Sequence, residues 1–182
     1  MDALVALHTR TAAPRLVEPA PSGEALDAIL AAGLRAPDHG MLRPWHFLLV
    51  SGDARQKLGD LCADAMQPEA EEQRKRLADA PLRAPLVIIG VAKVKEVKGI
   101  PAVEQMNSVA AALQNMSVAA HALGFGSIWR TGPVAHDPRV KSALGLDASD
   151  EIVGFLYMGT PTITERPLPE IDAAAHIQVW GN

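Results

Sequence analysis

The segment Pro85-Leu-Val-Ile-Ile-Gly-Val-Ala92 restricts the fold more than any other part of the chain. An unbroken apolar run rich in β-branched residues predicts a strand that is covered on both faces, since a half-exposed strand alternates polar and apolar residues. We therefore expect a sheet with helices on each side, although the sequence pattern does not fix the order of its strands.

The remaining elements follow from periodicity and breaker residues. Asp2 is a helix cap for a first helix through His8, and Leu26, Ile29, Leu30 and Leu34 form one face of a second helix that ends before Pro37. Val103–Leu123 is apolar on nearly all sides and must be wrapped by protein. Further helices are predicted from Asp53 toward Ala80, with a break at Pro68, and at Asp137–Leu144. Further strands are predicted at His46–Ser51, Ser127–Arg130 and Ile152–Met158, and we expect the first of them to be buried.

Composition narrows the class of protein. A chain of 182 residues fits a single domain, 1–182, and a net charge of −4 counts against a nucleic-acid surface. No apolar stretch approaches the length of a membrane span, and the start lacks the layout of a signal peptide, so we expect a cytoplasmic protein with no membrane contact. The lone Cys62 excludes an internal disulfide, and we expect it to pack in a helix.

The chain from Gly159 onward is rich in proline and has no clear pattern. A connection this long without elements of its own is uncommon within a compact domain. We predict that residues 160–182 form an arm that crosses a surface, such as that of a second subunit.

Three segments contain more residues suited to ligand binding than a connecting loop requires. Arg35–Phe47 concentrates cations, imidazoles and an indole in one loop; Arg10 and Arg15 flank a turn after the first helix; and Gly124–Gly132 places glycines around a Trp-Arg pair. The two arginines suit a phosphate but also the C-terminal end of a helix dipole. The glycines suit close approach of a flat ligand, or equally a tight turn with a core tryptophan.

The sequence gives little support for a metal site, a nucleotide-binding loop or a serine-hydrolase site. The six histidines include no close helical pair and no recognisable zinc spacing, so we predict no metal site. There is no glycine-rich phosphate loop, no dinucleotide-binding fingerprint and no serine-hydrolase elbow.

Five motifs occur in order along almost the whole chain. They are Met1-Asp-Ala-Leu4 with Arg10 and Arg15, Pro19-Ala-Pro21, Arg35-Ala-Pro-Asp-His39 with Pro44-Trp-His-Phe47, Gly124–Gly132, and Ile152–Pro161. With these motifs the chain resembles the FMN-dependent nitroreductase family, in its short single-domain NAD(P)H nitroreductase subgroup.

This resemblance implies an α+β fold, a three-layer α-β-α sandwich around a mainly antiparallel sheet. It also implies a homodimer with one FMN per subunit in a groove to which both chains contribute. Helix Val103–Leu123 would then be central to the dimer, and the C-terminal arm would extend across the partner.

The resemblance also assigns cofactor-binding residues. Arg10, Thr11 and Ala12 match the segment that binds the flavin phosphate and ribityl chain, where the family usually has a second arginine and a serine at the last two positions. One charge and one hydroxyl are therefore lost, which weakens FMN retention by about 1.5–3 kcal/mol unless another cation such as Arg166 substitutes.

Further residues are assigned in the same way. Arg35 and His39 match flavin-contacting positions, and Trp129, Arg130 and Thr131 match a segment along the isoalloxazine edge. The end of the apolar helix matches a stretch that meets the nicotinamide nucleotide, although its small residues equally permit helix packing: Ala119, Ala120, His121, Ala122, Leu123 and Gly124.

The implied activity is a ping-pong transfer of hydride from NAD(P)H through bound FMN to a nitroaromatic, quinone or similar small-molecule acceptor. No side chain need be a catalytic acid or base, since the flavin supplies the redox chemistry. One of Arg10, Arg35 and Arg130 is expected to stabilise the reduced flavin, and the sequence leaves open which. The competing hypotheses are a flavin-binding reservoir or sensor without turnover, and a histidine metalloenzyme.

Overall fold

The computed structural model describes residues 1–163 and 167–181. Its helices are α1 (Ala3–Thr9), α2 (Gly23–Gly33), α3 (Ala54–Met66), α4 (Glu71–Asp79), α5 (Ala102–Ala122), α6 (Pro133–His136) and α7 (Pro138–Ala143). Its strands are β1 (Leu16–Val17), β2 (Trp45–Ser51), β3 (Leu86–Ala92), β4 (Gly126–Arg130) and β5 (Glu151–Pro161). Short 3₁₀ turns lie at His39–Met41, Ala80–Arg83 and Ala173–Ala175.

The five strands form an antiparallel sheet in which β5 is central. Strand β3 pairs with β5 from Glu151 to Met158, β4 pairs with the opposite edge of β5 from Phe155 to Gly159, and β1 pairs with the end of β5 at Thr160 and Pro161. Strand β2 pairs with β3 from Trp45↔Ala92 to Ser51↔Leu86. The predicted antiparallel sheet is therefore confirmed.

Helices cover both faces of this sheet and create two cores. On one face, α2 and α5 pack Ile29, Leu113 and Met116 against Ile88 and Leu156. On the other face, α3, α6 and α7 pack against the alternate residues of the same strands, which include Val87, Ile89, Phe155 and Tyr157. All seven residues of β3 are buried, as its unbroken apolar run predicts.

Most predicted elements are confirmed, and four details differ. Strand β2 is half-exposed because it pairs only with β3, so the prediction of a buried strand was wrong. Leu34 follows the end of α2 and is 53% exposed, so it does not join the helix's buried face. Strand β1 and helix α6 were not predicted. Thr160 and Pro161 belong to β5, so the first two residues of the predicted arm, 160–182, are part of the sheet.

Helices α3 and α4 approach closely at Gly59. A Cβ atom at Gly59 would lie 1.9 Å from the backbone oxygen of Ala78 in α4, where no flexible side chain can yield. Because α4 leads into the turn at Ala80–Arg83, this contact sets the position of the chain that enters β3.

We expect Gly59→Ala to lower the free energy of unfolding. Helix propensity alone would raise stability by about 0.5–1 kcal/mol, whereas overpacking against a fixed backbone costs about 1–3 kcal/mol. Urea unfolding should therefore give a lower midpoint than the wild type. Asp60→Ala is the matched control, since Asp60 is the exposed neighbour in the same helix and its replacement should change stability by less than about 0.5 kcal/mol. A midpoint raised by Gly59→Ala would contradict the close contact.

Candidate functional site

A cavity of about 750 Å³ lies between the end of α1, the last turn of α5 and the start of β4. We call it the α1–β4 cavity. Its volume is within the range of small-molecule sites. The described residues that line it are Met1, Thr9, Arg10, Thr11, Ala13, His121, Gly124, Phe125, Gly126, Ser127, Pro161, Ile163, Pro167 and Leu168.

Backbone hydrogen bonds place Arg10 and Thr11 in this cavity. Helix α1 begins at the Asp2 cap, whose Oδ1 accepts from the N–H groups of Leu4 and Val5 at 2.9 and 3.3 Å. After the helix ends, the Ala13 N–H donates to Ser127 O at 2.9 Å, and Ala12 forms a parallel bridge with the same residue. The segment from Arg10 to Ala13 is thereby held along the outer edge of β4.

His121 joins α5 to α1 at the wall of the cavity. The Thr9 hydroxyl donates to Val5 O at 2.6 Å, so its oxygen is left to accept from His121 Nε2–H at 2.8 Å. Burial lowers the pKa of His121, and the positive charge of Arg10 lowers it further. The neutral ring with its proton on Nε2 is therefore favoured.

The lining of the α1–β4 cavity suits an anion. Arg10 supplies a guanidinium, Thr11 a hydroxyl and His121 an imidazole, and none of the described lining residues carries a carboxylate. The hydroxyl of Ser127 is already paired with that of Ser117 at 2.8 Å in the core. Such a donor set without a competing carboxylate is typical of phosphate and carboxylate recognition.

Several of these lining residues were not predicted from the sequence. Thr9 is one residue before the predicted segment, and Pro161, Ile163 and Leu168 reach the cavity only because β5 and the chain after it pass beside β4. An antiparallel partner that is thirty residues distant leaves no local signal in the sequence.

The predicted nucleotide segment at the end of α5 divides between core and cavity. His121 and Gly124 line the α1–β4 cavity. Ala120 is fully buried in the core on the α5 face of the sheet, and Ala119 packs against that core. Ala122 is half-buried and Leu123 is 47% exposed, and neither lines the cavity. Helix packing therefore accounts for Ala119 and Ala120.

The predicted flavin residues of β4 lie on opposite faces of the sheet. Trp129 is paired with Leu156 on the α5 face, and its indole covers Gly154, where a Cβ atom would lie 2.0 Å from the indole Nε1. Arg130 is paired with Phe155 on the α3 face. Side chains alternate along a strand, so the two cannot contact one face of a ligand together.

Arg130 and Thr131 line a second cavity of about 280 Å³, which we call the α3–β4 cavity. Its walls also include Cys62, Arg76, Arg83 and Tyr157. The Arg130 guanidinium lies 5.8 Å from the centre of the Tyr157 ring, and Arg130 Nε is buried without a hydrogen-bond partner among the described residues. Burial raises the pKa of the Cys62 thiol to about 11, which keeps it protonated and unreactive.

Arg35 and His39 lie away from both cavities. Arg35 lines a separate surface cleft with Asp38, Arg43 and Trp45. His39 Nδ1 lies 2.6 Å from Glu104 Oε2 at the start of α5. Within one chain these two residues therefore do not join Arg10 and Thr11.

Three further findings concern metal binding, Arg166 and membrane helices. In the part of the chain that the structure describes, no cluster of His, Cys, Asp and Glu side chains could hold a metal ion. Arg166, the substitute cation suggested by the sequence, lies outside the described residues. No helix among those described is long and apolar enough to cross a membrane.

Comparison with known proteins decides the family. The model of the Nitroreductase family matches residues 16–160. The chain belongs to the nitroreductase family. It is 44% identical over 165 residues to the Escherichia coli K12 protein named "Putative NAD(P)H nitroreductase YdjA", and the match covers 90% of each chain.

Solved structures of nitroreductase-like proteins share the fold. A nitroreductase-like protein from Bacillus cereus has a TM-score of 0.86 at 23% identity and covers 100% of this chain and 97% of its own. A Bacteroides fragilis nitroreductase solved with bound FMN has a TM-score of 0.77 at 22% identity, with 98% of each chain covered. This nitroreductase-family chain is accordingly an oxidoreductase with the three-layer fold that its sequence predicted.

In this nitroreductase-family chain, the contact between Arg130 and the Tyr157 ring can be tested by spectroscopy. Burial raises the pKa of Tyr157, while the charges of Arg130 and Arg83 lower it. Arg130→Met should raise the Tyr157 pKa further, because it removes a nearby positive charge and keeps an apolar side chain of similar length. Tyr157 is the only tyrosine in the chain, so tyrosinate absorbance during an alkaline titration reports it alone.

Lys75→Met is the control for charge removal, since Lys75 is exposed on α4 and does not line the α3–β4 cavity. A Tyr157 pKa that is unchanged or lowered in Arg130→Met would show that the guanidinium does not face the ring.

Proposed function

We propose that this protein is an FMN-dependent oxidoreductase that transfers hydride from NAD(P)H to flat electrophilic acceptors such as nitroaromatics and quinones, by a ping-pong cycle. The observation that carries the proposal is the α1–β4 cavity, where Arg10, Thr11 and His121 converge without a described carboxylate. FMN ends in a phosphate, which is the anion that this donor set fits. The FMN-bound Bacteroides fragilis structure, which has the same fold, supports the choice of flavin.

The roles of the residues follow from their positions. Arg10 would hold the phosphate, and the Thr11 hydroxyl would orient it. The strand β4 leads from this cavity to Trp129, Arg130 and Thr131, so a ligand anchored at Arg10 can extend along the β4 edge. When bound, FMN supplies the two-electron redox chemistry, and the protein supplies binding and orientation.

A second copy of the chain would complete the site. Arg35 and His39 lie on a different surface from Arg10, and large apolar side chains are exposed on α1, on α5 and in the C-terminal arm. These are Met1, Leu4, Val5, Leu7, Val103, Leu123, Ile171, Ile177, Val179 and Trp180, the last 95% exposed. Exposed apolar surface of this extent marks an interaction site, and the commonest arrangement is a symmetric dimer. We propose such a homodimer, in the cytoplasm.

The test of this function is reconstitution followed by reduction. Purified protein should bind FMN and become yellow, and anaerobic addition of NADH or NADPH should bleach it rapidly. Addition of a nitroaromatic or a quinone should then restore the colour, because the acceptor removes the electrons. Protein that takes up no FMN would refute the proposal, and FMN that binds but is not reduced by either nucleotide would favour the reservoir or sensor hypothesis.

The shared site predicts complementation between two defective chains. Arg10→Ala and Arg35→Ala homodimers should each bind FMN at least about tenfold more weakly, since each loses a charged contact worth about 1.5–3 kcal/mol. A heterodimer of the two variants has one site with both substitutions and one site with neither. We therefore expect doubly tagged, tandem-purified heterodimers to bind half of the wild-type FMN with wild-type affinity.

Arg139→Ala provides the control chain, because Arg139 lies on α7 and pairs with Asp137 away from both cavities. A heterodimer of Arg139→Ala with Arg10→Ala should also retain one intact site. Heterodimers of Arg10→Ala with Arg35→Ala that have no intact site would place both arginines in the same site of one chain. An Arg35→Ala homodimer that binds FMN with wild-type affinity would remove Arg35 from the site.

A further inference from the structure

The described lining of the α1–β4 cavity carries less positive charge than is needed to balance a flavin phosphate. A phosphate monoester carries a charge of about −1.5 to −2 at neutral pH, whereas Arg10 is the only described arginine or lysine in the lining. The resemblance implied a second cation at position 11, which is Thr11 in this chain. A group that becomes protonated when the phosphate binds would supply the additional positive charge.

His121 is such a group, and its hydrogen bonds prepare it for the role. The bond from Nε2–H to Thr9 Oγ1 fixes the orientation of the ring and leaves Nδ1 without a partner among the described residues. In the neutral ring Nδ1 is an acceptor, which repels an anionic oxygen. Protonation converts it into a second N–H donor with a positive charge.

We propose that His121 is a ligand of the flavin phosphate and binds a proton together with FMN. This inference rests on the proposed function and adds a specific residue and a proton to it. His121 is a binding residue in this proposal, and it takes no part in hydride transfer.

The charged surroundings of His121 set the direction of the effect. Among the described residues that line this cavity, Arg10, at the end of α1, carries the one other charged side chain, and the described parts of α5, β4 and the chain after β5 add none. Burial, and after it the positive charge of Arg10, oppose a proton on the imidazole and lower the pKa of His121. A phosphate dianion reverses the sign of the local charge and raises the pKa of the imidazole in the complex.

The affinity for FMN should consequently fall as pH rises through the His121 pKa in the complex. The phosphate itself also titrates near pH 6, so the informative quantity is the ratio of dissociation constants between variant and wild type at each pH. For His121→Asn we expect this ratio to be about 10 at about pH 6 and to approach 1 at about pH 8.5.

The experiment measures binding of FMN and of riboflavin to wild type, His121→Asn, His121→Lys and His8→Asn across this pH range. Riboflavin lacks the phosphate, so its affinity should not change in His121→Asn. His121→Lys keeps a cation at every pH and should bind FMN tightly with no imidazole-dependent slope. His8→Asn is the matched control, since His8 is exposed on α1 and does not line the cavity.

Calorimetry in buffers of different ionisation enthalpy supplies a second measurement. Wild type should take up protons on binding FMN near neutral pH, more than His121→Asn does, and none on binding riboflavin. If FMN and riboflavin are weakened equally in His121→Asn, or if the ratio does not vary with pH and proton uptake is unchanged, the inference is wrong. If wild type binds neither flavin, the proposed function itself fails, and this outcome is distinct from a failure of the His121 assignment.

Discussion

The pairing of β5 with three other strands is the constraint on which the rest of the structure depends. Its backbone bonds to β3 on one side and to β4 on the other, and its end bonds to β1. Its six residues from Gly154 to Gly159 are all buried, and α5 and α3 cover its two faces. Because β4 reaches the sheet only through β5, every residue of the candidate site on β4 depends on this register.

The candidate site lies at the open edge of β4, where the sheet has no further full-length strand. The segment from Arg10 to Ala13 covers part of that edge through its bonds to Ser127. Alternation along β4 then separates two environments, with Trp129 on the α5 face and Arg130 beside Tyr157 on the α3 face. The two residues are adjacent in one sequence motif, but their side chains lie in two different environments.

The sequence predicted best where local pattern and tertiary packing agree. The apolar run of β3 is buried on both faces as expected, and the Asp2 cap begins α1. The same reasoning overestimated the burial of β2, since an apolar composition does not reveal that a strand lies at an edge. It also missed β1, whose two residues form a strand only because β5 lies beside them. The motifs indicated Arg10, Thr11 and His121, but their convergence depends on the contact of α1 with α5, which local sequence does not encode.

The indole of Trp129 occupies the space that Gly154 leaves free, and this contact constrains the evolutionary route of the chain. Any side chain at position 154 would overlap the indole, so a larger residue there becomes acceptable only after position 129 has become smaller. In the reverse order the indole is displaced toward the β4 edge. Contacting positions of this kind are strongly non-additive. The two positions are therefore expected to vary in a fixed order, with the tryptophan lost first and the glycine replaced afterwards.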